Sequence, residues 1–314
     1  MRAKPAPINT PDGGGQPTHT FSVEGKVFAA PNSAAGLHLV ATPIGNLGDI
    51  TLRAIEVLRR ADLIACEDTR VTATLARRFG LTAERVAYHD HNAETMRPRL
   101  LQRLAAGAAV ALVSDAGTPL ISDHGFKLVR AAREAGIAVT ALPGASAALA
   151  ALMSAGLPTD RFLFAGFLAA KSGQRRRALA ELAPIRATLV LFETGPRLAA
   201  ALAEMAAVLG PREAAFAREL TKLHEEVRRG TLAELARHYA EAGPPKGEIV
   251  IVVGPPTAAP EPSAEEVDER LAAALATMSV GDASAALAVE TGLSRRELYA
   301  RALALRGKKA PPEE

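Results

Sequence analysis

The chain has 314 residues, long enough for two domains of ordinary size, and its 48% hydrophobic content can fill their cores, which excludes disorder throughout. A formal net charge of +3, from 37 Lys and Arg against 34 Asp and Glu, does not mark the whole surface for nucleic acid, yet the uneven spread of arginine leaves room for local basic patches. No apolar run reaches the roughly 18 residues that span a bilayer, the N-terminus lacks the apolar centre of a secretory signal, and the single cysteine, Cys66, cannot form an intramolecular disulfide, so a soluble cytoplasmic protein with no membrane partner is expected.

Residues 1–35 are rich in Pro, Gly, Thr and Asn without hydrophobic periodicity and are expected to form a flexible extension. From Leu37 the pattern becomes apolar strand, loop and amphipathic helix, repeated. L-H-L-V-A precedes a helix carrying Leu52, Ile55 and Leu58, D-L-I-A-C precedes a helix through Leu75, and V-A-L-V precedes a helix over about 123–135. This alternation predicts an N-terminal α/β domain over 36–157 built on a mainly parallel sheet. Cys66, inside L-I-A-C, reads as a buried strand thiol. Gly107, Gly136 and Gly156 each follow a helical stretch, where a left-handed cap is expected, and 138–142 supplies another strand.

After Leu157 strands become denser: F-L-F-A-G-F, A-T-L-V-L-F-E, A-A-F-A-R-E-L, E-E-V-R-R-G-T and E-I-V-I-V-V, with helices over about 175–182, 196–209 and 232–242. The hairpin-like stretch 213–231 predicts antiparallel pairing, hence a second α/β domain over 158–254 on a mixed sheet. A Pro-rich linker, 255–264, leads to a helical tail over 265–314. There 283–290 reads as a helix, Thr291-Gly292-Leu293 as a turn, and Ser294 with Glu297 as a capping box opening a last helix, the pattern of a helix-turn-helix and equally of a helical hairpin packed on its own chain or a partner subunit.

Three turns at strand ends stand out: V-A-T-P-I-G-N-L-G-D at 40–49, S-D-A-G-T-P at 114–119 and P-G-A-S-A at 143–147. None matches a dinucleotide fingerprint or a P-loop. Gly45 and Gly48 permit close backbone approach, Asp49 or Thr51 can cap the next helix, and Asp115 sits where the chain leaves the sheet. Gly117 and Thr118 offer backbone groups and a hydroxyl, and Gly144 with Ser146 opens a helix whose free N–H groups suit a carboxylate. Three such ends suggest one shared cleft between the domains.

These turns, with D-L-I-A-C-E-D-T-R, H-D-H-N, R-E-L-T-K-L-H-E-E and P-K-G-E-I-V, resemble the tetrapyrrole methylase superfamily over about Leu37 to Gly254. The closer resemblance is to a branch that methylates the ribose 2'-oxygen of a cytidine in the decoding region of small-subunit rRNA, and the tail is similar to that branch's C-terminal extension. The resemblance implies a two-domain α/β fold, S-adenosylmethionine as cofactor, small-subunit rRNA or an assembled 30S subunit as partner, and a homodimer. It implies cofactor contacts at Pro43, Gly45, Leu47, Asp115, Gly117, Thr118, Ile121, Gly144, Ala145, Ser146 and Phe192. The chain departs from the branch's pattern at Ala145, where proline is usual, at Thr194-Gly195 and the missing tyrosine and histidine around them, and at His124.

Methyl transfer to a hydroxyl is an in-line displacement that a base assists and that needs no metal. Glu67, beside the N-terminus expected at Asp68-Thr69-Arg70, ranks first as base; His89, Glu219 and Lys222 complete the catalytic candidates, the last two being equally compatible with a salt-bridged strand end. His89, Asp90, His91 and Asn92 lack a convincing third and fourth metal ligand. Lys171, Arg175, Arg176 and Arg177, joined by Ser172-Gly173 as a flexible link, and Arg295 and Arg296 in the tail are the RNA-binding candidates. Two alternatives stay open: a methylase of tetrapyrrole rings, and a cofactor-dependent RNA-binding protein without turnover.

Overall fold

The computed structural model describes residues 20–23, 26–29, 34–122, 125–256 and 263–308. The chain divides into two compact units, Met1–Pro256 and Thr257–Glu314. Strands β1 (Thr20–Val23) and β2 (Lys26–Ala29) pair antiparallel, so part of the stretch expected to be a flexible extension is a hairpin. Its four-residue strands are too short for their alternation to stand out among the surrounding Pro and Gly.

The first lobe contains β3 (Gly36–Val40), β4 (Leu63–Cys66), β5 (Glu84–Ala87), β6 (Ala109–Val113) and β7 (Val139–Leu142), all parallel, in the order β5-β4-β6-β3-β7. β4 and β6 are buried at every position because helices cover both faces of the sheet, and this is why they read as unbroken apolar runs. α1 (Leu52–Arg60) follows β3, with Thr51 capping it by accepting from the amide of Ala54. It buries Ile55 and Leu58, while Leu52 stays exposed. α2 (Thr69–Phe79) follows β4, and α3 (Ala93–Ala105) follows β5. α4 (Phe126–Glu134) starts later than expected; residues 123 and 124, including the divergent His124, lie outside the described residues. α5 (Ala147–Ala155) follows β7 and ends at Gly156 in the left-handed region.

The second lobe comprises β8 (Phe162–Phe167), α6 (Ser172–Leu182), β9 (Thr188–Thr194), α7 (Gly195–Leu209), β10 (Glu213–Arg218), β11 (Glu226–Thr231), α8 (Leu232–Ala242) and β12 (Glu248–Val253). Its sheet, ordered β11-β10-β12-β9-β8, is mixed: β8 and β9 run parallel and the other neighbours antiparallel. One face buries Leu189, Leu191, Phe216 and Ile251 against α7 and α8. The opposite face buries Val190, Ala215, Val250 and Val252 against Ala148, Ala151 and Leu152 of α5. A division at 157/158 therefore separates the sheets but not the packing, since a first-lobe helix covers the second sheet.

In the C-terminal unit α9 (Ala264–Ala274), α10 (Val280–Thr291) and α11 (Arg295–Lys308) enclose their own core of Val267, Leu271, Val280, Leu287, Leu298 and Ala302. A capping box between Ser263 and Glu266 starts α9 inside the stretch expected to be linker, and Gly292 closes α10 in the left-handed region.

Candidate active site

Hydrogen bonds join the three glycine-bearing turns into one surface. Thr42 and Gly117 exchange backbone bonds at 2.9 and 3.1 Å, tying the first turn to the second. The Thr118 hydroxyl donates to the carbonyl of Ala145 at 3.1 Å, tying the second to the third. The Thr42 hydroxyl donates to Ser114 O, and the Ser114 hydroxyl to Gly117 O, each at 3.1 Å. Gly144 packs where a Cβ would stand 2.8 Å from that of Ala41. Because the strands before these turns are parallel, all three leave the sheet at its carboxyl end, where open α/β sheets bind ligands.

Between this surface and the second lobe lies a cavity of about 320 Å3, lined by Asp115, Gly117, Thr118 and Ile121 from one side and by Phe167 and Phe192 from the other. Ser146 at the start of α5 and the carboxylates Glu67, Glu193 and Glu248 also reach it. Phe192 meets Phe164 and Phe167 edge-on, with centroids 4.9 and 5.5 Å apart. A second chamber of about 610 Å3 shares Ile44, Ser114, Asp115, Ala116 and Glu248 with the first and adds Pro43, Gly45, Leu47, Asp68, Arg70 and Lys222. A third hollow collects Glu67, Asp68, Arg70, His89, His91 and Asp115.

Strain gathers here. Among the described non-glycine residues, Leu120, Ser122, Glu219 and Thr221 have positive φ, and all four flank this cleft in the segments 114–122 and 219–222. Glu219 is not on a cavity wall but holds Lys222, whose ammonium donates to Glu219 Oε1 at 2.8 Å and to Glu248 Oε2 at 3.0 Å. Burial alone would lower the pKa of Lys222; the two carboxylates more than reverse this and hold it above that of an ordinary lysine. The bond from Lys222, joined by one from the amide of Glu248, holds the Glu219 carboxyl below its usual range.

Asp68 is the N-cap of α2, accepting from the amide and the guanidinium of Arg70, and these bonds pull its pKa down to about 2. Asp115 Oδ1 accepts from the amide of Asp68 at 2.9 Å. Burial nevertheless dominates and raises the Asp115 carboxyl above its ordinary value. Burial likewise pushes up the Cys66 thiol at the end of β4. The loop bearing His89 is set by Asn92, which accepts from the His89 amide and donates to Ala87 O; the rings of His89 and His91 stand 5.9 Å apart. Among the described residues, no group of three or more His, Cys, Asp and Glu side chains is placed to hold a metal ion.

The basic candidates separate. Arg175, 5% exposed, pairs with Glu204 through bonds of 2.7 and 2.9 Å and donates to Ala170 O, so its assignment to RNA is corrected: it is a packing residue of the second lobe. Ser172-Gly173 is no flexible link but the first turn of α6, with the Ser172 hydroxyl donating to Glu204 at 2.7 Å. Lys171, Arg176 and Arg177 are exposed, as are Arg295 and Arg296 at the start of α11. Arg301, on the same helix, is tied to Asp268 and Ala264 O. Sequence reasoning did not single out Glu193 or Glu248 as site residues. Glu193, 2% exposed beside Arg197, carries a signal in retrospect: an acid ending the apolar run T-L-V-L-F.

A two-lobed α/β protein, with three strand-end turns facing a second mixed sheet across a cleft, defines a class of cofactor-binding enzymes. The chain belongs to the family described as Tetrapyrrole (Corrin/Porphyrin) Methylases, whose pattern matches residues 36–236, and residues 261–306 match one described as the RsmI C-terminal HTH domain. It is 52% identical over 272 residues to Ribosomal RNA small subunit methyltransferase I of Mesorhizobium japonicum, covering 86% of this chain and 92% of that one. The same-named protein of Erythrobacter litoralis is 54% identical over 273 residues, covering 86% and 95%. Among solved structures, a uroporphyrin-III-C-methyltransferase from Thermus thermophilus superposes with a TM-score of 0.52 at 24% identity, over 70% of this chain and 94% of that one. No described helix is long and apolar enough to cross a membrane.

Proposed function

We propose that this protein is an S-adenosylmethionine-dependent methyltransferase of small-subunit ribosomal RNA, and that its acceptor is the ribose 2'-hydroxyl of a cytidine in the decoding region. The observation that carries this reading is the similarity to the two rRNA methyltransferases, which extends over 86% of the chain. The smaller cavity fits the cofactor's chemistry: aromatic rings at Phe167 and Phe192 for a purine, carboxylates for a cation, and the N-terminus of α5 at Ser146 for a carboxylate. When bound there, S-adenosylmethionine supplies an electrophilic methyl group on a positively charged sulfur.

The chain's own part is to align and to exclude water. Asp115, Gly117, Thr118, Ile121, Ala145, Ser146 and Phe192 hold the cofactor, many through backbone atoms. Pro43, Gly45 and Leu47, implied by the resemblance as cofactor contacts, line not the smaller cavity but the adjoining chamber, to which we assign the nucleotide; Lys222, fixed by Glu219, keeps a cation at its wall. Glu67 and His89 share a hollow with Asp115 and place further ionisable groups beside the acceptor hydroxyl. Lys171, Arg176, Arg177, Arg295 and Arg296 contact RNA phosphates, in the cytoplasm, with the enzyme acting as a homodimer. Incubation with tritiated S-adenosylmethionine and undermethylated 30S subunits, with naked 16S rRNA and a porphyrinoid in parallel, tests this. Label in ribose of small-subunit rRNA supports the reading; label only in the porphyrinoid, or cofactor binding without transfer, overturns it.

A further inference from the structure

We infer that Asp115 is the catalytic residue that accepts the proton of the attacking ribose hydroxyl, an assignment that rests on the methyl-transfer reading and deepens it. Three hollows converge on the cleft, and the Asp115 side of β6 bounds all of them. Glu67 bounds the first and third, Glu248 the first and second, and Asp68 the second and third. A group that must reach a hydroxyl lying between a cofactor chamber and a nucleotide chamber has to stand on their common wall. Asp115 does so, and Glu67 does not reach the chamber that holds Lys222.

The carboxylate is also aimed. Its Oδ1 accepts from the Asp68 amide at 2.9 Å, which fixes the group's plane and leaves Oδ2 as the oxygen outside that bond. The charged and titratable groups around it are Cys66 and Glu67 at the end of β4, Asp68 and Arg70 at α2, His89, Asp90 and His91 after β5, and Glu193, Lys222 and Glu248 from the second lobe. Both nearby cations are engaged by other carboxylates, Arg70 by Asp68 and Lys222 by Glu219 and Glu248, so neither is ion-paired with Asp115. Burial then leaves this carboxylate a stronger base than an exposed aspartate.

The step balances without metal or oxidant. The ribose oxygen forms a bond to the methyl carbon with a lone pair, and the carbon–sulfur bond breaks with its electrons remaining on sulfur. The O–H proton passes to Asp115 Oδ2 and afterwards to water, which restores the carboxylate.

Asp115→Asn is the informative variant, because an amide Oδ1 can still accept from the Asp68 amide while the amino group cannot take a proton. Calorimetry is expected to show that S-adenosylmethionine still binds, because the backbone at 115–118 and the bond from the Asp68 amide are retained. Single-turnover transfer to 30S subunits is expected to fall about 10²-fold or more. The rise of the wild-type rate with pH is expected to disappear, and Asp115→Glu to restore part of the rate. Carbon-13 carboxyl spectra of aspartate-labelled protein give an independent readout: the resonance lost in Asp115→Asn should titrate above the ordinary aspartate range. The assignment is overturned if Asp115→Asn turns over at the wild-type rate, if it loses only cofactor affinity, or if that resonance titrates at or below the ordinary range. A wild-type protein that transfers no methyl group to rRNA would instead sink the functional reading on which the assignment stands.

Discussion

Lys222 of the second lobe lies so closely over Gly45 of the first that a Cβ on Gly45 would overlap its side chain, with Cε 2.7 Å and Cδ 3.1 Å from that position. A glycine of one lobe thereby forms the seat on which the other lobe's lysine reaches Glu219 and Glu248. Gly45→Ala is expected to displace the ammonium from both carboxylates. The pair is partly exposed, so the stability cost should be modest, about 1 kcal/mol. Methyl transfer should fall more than stability does, and stopped-time assays beside thermal melts make the comparison; unchanged turnover would show that Lys222 has no role at the chamber.

Asp115 leaves a signature in stability as well as in rate. A carboxyl whose folded pKa lies above its unfolded value binds more protons in the folded state, so stability is lost as pH rises from the ordinary aspartate value through the raised one. Asp115→Asn removes that loss. The variant should melt above the parent at neutral pH and lose the advantage below the ordinary carboxyl range. Asp68 has the opposite sign: its contribution is present above the unfolded value near 3.8 and is lost as pH falls toward about 2. Melting curves from pH 2 to pH 8 would contradict this if Asp115→Asn were the less stable protein at pH 7.

Arg175 and its neighbours divide into a packing residue and two surface cations. Arg175→Ala leaves Glu204 partly buried without its partner and is expected to cost about 3 kcal/mol. Arg176→Ala and Arg177→Ala should leave the melting temperature nearly unchanged and each lower the slope of log K against log salt for RNA binding by roughly 0.7 to 0.9. A salt slope that fell only with Arg175→Ala would reverse this division.

Much of the scaffold was legible in local pattern. Fully buried strands write themselves as apolar runs, and strand-end turns need glycine, so the sheet of the first lobe, the antiparallel 213–231 hairpin and the three convergent turns could be read directly. What escaped depends on partners far along the chain. Arg175 looks like part of a basic surface run until Glu204, 29 residues on, is brought beside it. The crossing of Lys222 over Gly45, and the common wall at Asp115, exist only once two lobes face each other. The packing of α5 on the second sheet was hidden for the same reason: an alanine-rich helix does not say which sheet it covers.

Gly195 stands where the chain departs from the pattern of its branch, and the structure gives a reason. A Cβ there would overlap the carbonyl oxygen of Pro245 and stand 3.1 Å from its carbonyl carbon. These are backbone atoms, so no rotamer change relieves the contact. Gly195 follows Thr194, and Pro245 shortly precedes Gly247 and Glu248, all three of which line the smaller cavity. Gly195→Ser is therefore expected to destabilise the protein by about 1–3 kcal/mol and to weaken cofactor binding by pushing the Gly247-Glu248 segment away from Thr194. Gly173, in the first turn of α6 with open space around its Cβ position, supplies the contrast. There Gly173→Ala should stabilise by up to about 1 kcal/mol through helix propensity, with no change in cofactor affinity. Calorimetric titration and thermal melts of the two variants decide the matter, and a Gly195→Ser protein that melts and binds like the parent would show that the Pro245 segment yields without cost.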